Sequence, residues 1–106
     1  MTGKGDGPID VEQREDEHRF VVERGGLVAE LVYAVEGNRM TLVHDGVPSE
    51  LEGHGIGSAL VQSAVEWAVG EGLIVVPRCP FARRWLEMHP EVTAKVHVEW
   101  SHKAPG

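Results

Sequence analysis

Three glycines spaced two apart, Gly53, Gly55 and Gly57, stand at the mouth of a stretch with helical periodicity. Glycine lets the main chain take left-handed conformations and lets a ligand approach the backbone closely. The first turn of a helix carries N–H groups with no internal partner and the positive end of the helix dipole. The two features together can hold a phosphate or pyrophosphate without any basic side chain. No Lys-Ser or Lys-Thr pair follows, so this is not a Walker loop. The strands before it read as antiparallel and the chain is short for paired βαβ units, which argues against a dinucleotide fold. A flexible turn combined with close helix packing is the plainer reading of the same glycines.

Three other side chains have chemistry to offer. Cys79 lies between Pro77 and Pro80 where a helix is expected to begin, and a helix start lowers a thiol's pKa towards the thiolate. It could serve as a nucleophile or proton donor, or simply as a small buried hydrophobe. His44 and Asp45 end a strand, and an imidazole titrates near neutrality. Packing of His44 on the sheet beside Met40 and Leu42 is the competing reading, with Asp45 on the opposite face. Arg78, Arg83 and Arg84 form a local basic cluster that reads best as a solvated helix face. The six histidines show no His-x-x-x-His spacing, and one cysteine cannot build a thiolate site, so no metal is expected.

The elements that would position these residues follow from the hydrophobic pattern. His18–Arg24, Leu27–Glu36 and Arg39–Asp45 read as three strands joined by Gly25-Gly26 and Gly37-Asn38, an antiparallel meander. Pro48 biases Val47 towards extended backbone. Residues 56–71 carry one apolar stripe of Ile56, Leu60, Ala64, Trp67 and Ala68 and a second of Val61, Val65 and Val69, the pattern of a helix. Leu73–Val76 is a short continuous apolar run, typical of a buried strand. A second helix begins at Pro80 and stops before His89-Pro90. The order β-β-β-α-β-α is an α+β layer design.

The bulk properties bound the function. The 106 residues suit one domain, read as residues 17–100, with a disordered tail over 1–16 and a loose end over 101–106. A net charge of -7 argues against general nucleic-acid binding. No signal peptide or membrane span is apparent and no internal disulfide is possible, so a soluble cytoplasmic protein without a membrane partner is expected.

The run Val47-Pro48-Ser49-Glu50-Leu51-Glu52-Gly53-His54-Gly55-Ile56-Gly57-Ser58-Ala59-Leu60-Val61 resembles the acetyl-CoA signature of the GCN5-related N-acetyltransferases (GNAT superfamily). With His44-Asp45-Gly46-Val47-Pro48 before it and Pro77-Arg78-Cys79-Pro80-Phe81 after the next strand, the chain is similar to the minimal single-domain branch of that superfamily, over residues 17 to 92. The resemblance implies a small acyl-CoA N-acyltransferase-like fold. It also implies that main-chain amides of Gly53, Gly55, Gly57 and Ser58 hold the coenzyme A diphosphate. Val47, His54 and Ile56 join them as cofactor-binding positions. The pantetheine arm would lie between Arg39–Val47 and Leu73–Pro77. Two positions depart from the family pattern: Glu52 replaces a usual Gln or Arg, and Gly46 replaces a frequent Glu.

Acetyl transfer to an amine needs a base, since a lysine-like amine has a pKa of about 10.4. His44, Asp45 and Cys79 are the catalytic candidates. The expected function is an N-acetyltransferase that uses acetyl-CoA and an amine acceptor, a small polyamine or a protein lysine. The acidic surface points to cationic acceptors. The competing expectation is a module that binds coenzyme A with little turnover, to which Glu52 and Gly46 both point.

Overall fold

The computed structural model of the chain describes residues 9–100. Five strands form one sheet in sequential order: β1 (Glu12–Arg14), β2 (Arg19–Arg24), β3 (Leu27–Glu36), β4 (Arg39–Gly46) and β5 (Ile74–Pro77). The first four are antiparallel to their neighbours, and β5 runs parallel to β4. A 16-residue helix, α1 (Ile56–Glu71), forms the crossover between β4 and β5. It is followed by α2 (Pro80–Glu87) and the short α3 (Pro90–Thr93). A parallel pair of strands requires such a crossover, whereas antiparallel neighbours close on two-residue turns. Arg24 pairs with Leu27, and Glu36 pairs with Arg39. The expected meander, helix, strand and helix are all present.

Two parts of the sheet differ from the sequence reading. Residues read as a tail include β1, which pairs Gln13 with Phe20. Its anchor is a side-chain hydrogen bond of 3.0 Å, donated by Gln13 Nε2 to the Tyr33 hydroxyl. Three polar residues bury too little apolar surface to announce a strand by pattern. The folded unit therefore begins ahead of residue 17; residues 1–8 and 101–106 lie outside the described range. On the far edge, the Val75 N–H donates to the His97 carbonyl and the Glu99 N–H to the Val75 carbonyl, both at 2.9 Å. This parallel bridge between Val75 and Val98 covers β5, and Arg39 Nε donates to Glu99 at 2.8 Å.

The core lies between the sheet and the two longer helices. From α1 come Ile56, Leu60, Val61, Ala64, Val65 and Ala68; from α2 come Ala82, Trp85 and Leu86. They meet Phe20, Val22, Ala29, Leu31, Tyr33, Met40, Leu42 and Val75. Val69, read as part of an apolar stripe, is exposed. Phe20, Tyr33 and Trp67 form a ring cluster with centroids 5.3 to 6.4 Å apart. The His89 ring stacks on Trp85 at 3.9 Å and closes the end of α2. Among the described residues, no helix is long and apolar enough to cross a membrane.

Candidate active site

β4 changes character half-way along. From Arg39 to Leu42 it has a partner on both sides, β3 and β5. Its pairing with β5 ends at Leu42 and Pro77. There the chain turns away, and the N–H groups of Arg78 and Cys79 both donate to the Leu42 carbonyl, at 3.1 and 2.9 Å. At the same point the register with β3 shifts. Tyr33 faces Leu42 and Val32 faces His44, so Val43 has no partner across from it. This is a β-bulge, which inserts one residue and re-aims those that follow.

The bulge reverses the expected faces. Simple alternation would put His44 with Met40 and Leu42 and send Asp45 to the other side. One extra residue exchanges them. Asp45 now pairs with the buried Leu31 on the helix face, and His44 pairs with Val32 on the face away from α1 and α2. His44 is exposed, with its ring beside Gly46.

Asp45 looks into a cavity of about 460 Å³. Val47 and Leu51, from the segment after β4, form one side, Gly53, Gly55, Ile56, Gly57 and Ser58 its floor, and Phe81 its far wall; Glu52 stands at the rim. Among the described residues, the ionisable side chains lining it are the carboxyls of Asp45 and Glu52. Asp45 is half-buried, and its Oδ2 is sealed from solvent with no hydrogen-bond partner among the described residues. Burial pushes its pKa from the ordinary 3.8 up to about 6, partly opposed by the neighbouring His44. A carboxylate without donors loses hydration and regains nothing in exchange, so the neutral acid is favoured.

The three glycines are there for two different reasons. Gly53 and Gly55 have φ of 86° and 78°, and a Cβ at either would meet nothing within 4 Å. Their requirement is the left-handed backbone itself. Gly57 has no such φ, but a Cβ there would stand 2.9 Å from Phe81 Cζ and 3.6 Å from Asp45 Oδ1. Its requirement is close packing. Gly55 is the N-cap of α1, and among the described residues no side chain caps the helix. The Ala59 N–H makes the first bond back, to the Gly55 carbonyl at 3.0 Å. The opening N–H groups of α1 thus lack helical partners where the cavity floor lies.

Of the cofactor-binding positions read from sequence, Val47, Gly53, Gly55, Ile56, Gly57 and Ser58 line the cavity. His54 is exposed and outside the lining. Asp45 is the one catalytic candidate in the wall. Cys79 is 4% exposed, belongs to the core, and precedes Pro80 at the start of α2. The sequence reading named Leu51 and Phe81 only as parts of the two motif runs. Phe81 is 43% exposed at the cavity's edge. Its place directly after the Cys-Pro pair was the available signal.

Residues 19–96 match the GCN5-related N-acetyl-transferase family. The chain belongs to that family. Among solved structures, it is similar to the NMR solution structure of a GCN5-like candidate N-acetyltransferase from Staphylococcus aureus. That protein is 27% identical, with a TM-score of 0.67 over 92% of this chain and 97% of the other. No curated protein matches. The α+β fold of this GNAT-family domain is therefore shared with its relative along nearly the whole length of both chains. The divergence of β4 and β5 and the uncapped start of α1 are the features its cavity is built from.

Proposed function

We propose that this GNAT-family domain binds acetyl-CoA in the cavity beside β4 and transfers the acetyl group to an amine. The observation that carries the reading is the uncapped opening turn of α1, reached over Gly53 and Gly55 and open to a cavity. Main-chain N–H groups of Gly55, Ile56, Gly57 and Ser58 would hold the diphosphate, with no basic side chain needed. Beyond Leu42, β4 pairs with no strand on its β5 side among the described residues, so the backbone from Val43 through Val47 can bond the amides of a pantetheine arm. When bound, acetyl-CoA supplies an acyl group already activated as a thioester.

The chain's own contribution is to hold and to align. The acceptor amine enters from solvent where β4 and β5 part and attacks the thioester carbonyl directly, breaking the C–S bond and displacing coenzyme A as a thiolate that solvent protonates. His44 is exposed on the sheet face away from the cavity, so the amine's proton passes to solvent water rather than to its ring. Cys79 is assigned to packing, because its thiol is buried within the core. The acceptor is a cationic amine, a polyamine or a protein lysine, drawn by the net charge of -7.

A second reading is favoured by the same placements. With His44 facing away from the cavity and Cys79 buried, the domain can hold coenzyme A without turning it over. Titration of coenzyme A followed by thiol release from acetyl-CoA across an amine panel tests both. Binding with amine-dependent release supports transfer. Binding without release leaves the holding function, and no binding removes both. Equal turnover of cationic and neutral amines would reject the acceptor class.

A further inference from the structure

Among the described residues, the cavity assigned to an anionic ligand is lined by two carboxyl groups and no cation. Glu52 is exposed, so water screens its charge. Asp45 is different. The bulge at Val43 turns it inward, its Oδ1 lies 3.6 Å from the position a Cβ would take on Gly57, and its Oδ2 has no donor. Around it β3 presents Leu31, α1 presents Gly57 and Ser58, and α2 presents Phe81. The charged or titratable groups near it are His44 on its own strand and Glu52 in the loop. A dianionic diphosphate on the first turn of α1 would therefore stand beside Asp45 with little between them to compensate two like charges.

We propose that Asp45 is a cofactor-binding residue that takes a proton from solvent as the coenzyme A diphosphate enters, and holds the ligand as a neutral acid. The proton converts the carboxylate to a carboxylic acid, and the new O–H donates to the ligand. This replaces a repulsion with a hydrogen bond and removes the negative charge from a carboxyl whose Oδ2 has neither water nor a donor among the described residues. The inference rests on the acetyl-CoA reading above. It removes Asp45 from the list of amine bases at neutral pH, because an acid already carrying its proton cannot accept another. The free group is poised for this, since burial already raises its pKa towards neutrality. A like charge arriving beside it raises its pKa further.

The test is calorimetry on the full chain with dephospho-coenzyme A. That probe keeps the diphosphate and lacks the phosphate monoester, which itself titrates near neutrality. Titrations at neutral pH in buffers of different ionisation enthalpy count the protons exchanged. The expected result is net uptake by the native protein, with affinity falling about tenfold between about pH 6 and about pH 8. In Asp45→Asn the uptake and the pH slope disappear, while in Glu52→Gln both remain. The carboxyl carbon-13 shift of Asp45, followed by NMR with and without the probe, reads the same protonation without any substitution. Binding with no proton uptake, uptake that survives in Asp45→Asn, or an Asp45 signal that stays ionised in the complex would each overturn the inference alone. Absence of binding by both dephospho-coenzyme A and coenzyme A would overturn the function on which it rests.

Discussion

The two halves of β4 do different work with the same backbone. Arg39–Leu42 is bonded on both sides and places Met40 and Leu42, both fully buried, in the core. After the bulge, His44–Gly46 is bonded to β3 alone among the described strands and places a half-buried carboxyl at a cavity. The first half spends its hydrogen bonds and apolar side chains on stability. The second leaves polar groups without partners, which costs stability and leaves them free for a ligand. One unpaired residue, Val43, separates the two roles.

Substitutions should fall on opposite sides of that division. The largest expected effect belongs to the first half: Leu42→Ala removes a fully buried side chain and should cost about 2–5 kcal/mol in denaturant unfolding. A loss under about 1 kcal/mol would mean that the first half is not the stabilising one. Next comes the loop. Gly55→Val forces a β-branched residue into left-handed backbone, costing about 1–2 kcal/mol of stability. It should also weaken coenzyme A binding at least about tenfold in the folded protein. Retained affinity would separate the loop from the ligand.

Asp45→Asn should act in the opposite direction on stability. The folded pKa of Asp45 lies above its ordinary value. Its contribution is therefore fully present below about pH 4 and is lost as pH rises through about 6. The Asn variant should melt higher than the native protein above about pH 7, by up to about 1 kcal/mol after solvent screening. Near pH 4 the two should melt alike. Equal melting across the whole range would show that the carboxyl is not strained in the free protein.

The smallest effect is expected at Gly57→Ala, where the ring of Phe81 must give way. Phe81 is partly exposed and can swing outward, and alanine favours the helix, so stability should change by less than about 1 kcal/mol. A shifted Phe81 ring resonance and a narrower cavity are the readouts. In a Phe81→Ala background the same substitution should stabilise. If Gly57→Ala leaves the ring in place, the packing account of Gly57 is wrong.

Much of the fold was legible because local patterns and tertiary demands agree. β3 and α1 have the bounds their periodicity implies, and the two-residue turns fall at Gly25-Gly26 and Gly37-Asn38. β1 was not legible, because Gln13 is held by one hydrogen bond to a hydroxyl twenty residues away. The site was half legible. The glycine loop is contiguous in sequence and its spacing states its conformation. The facing of His44 and Asp45 depends on a bulge, and alternation along a strand cannot reveal a residue that its neighbour strand leaves unpaired.

From its amino-acid sequence alone this protein declared a small α+β domain, a glycine loop opening a helix, and the motifs that resemble an acetyl-CoA transferase. Only the tertiary structure decided which titratable side chain enters the cavity, that Cys79 is buried, and that Gly57 yields to Phe81 while Gly53 and Gly55 yield to the backbone. The physical reason is range. Periodicity, turn chemistry and helix starts are settled among residues a few positions apart, whereas strand register, burial and the desolvation of a carboxyl depend on what packs against them from elsewhere in the chain.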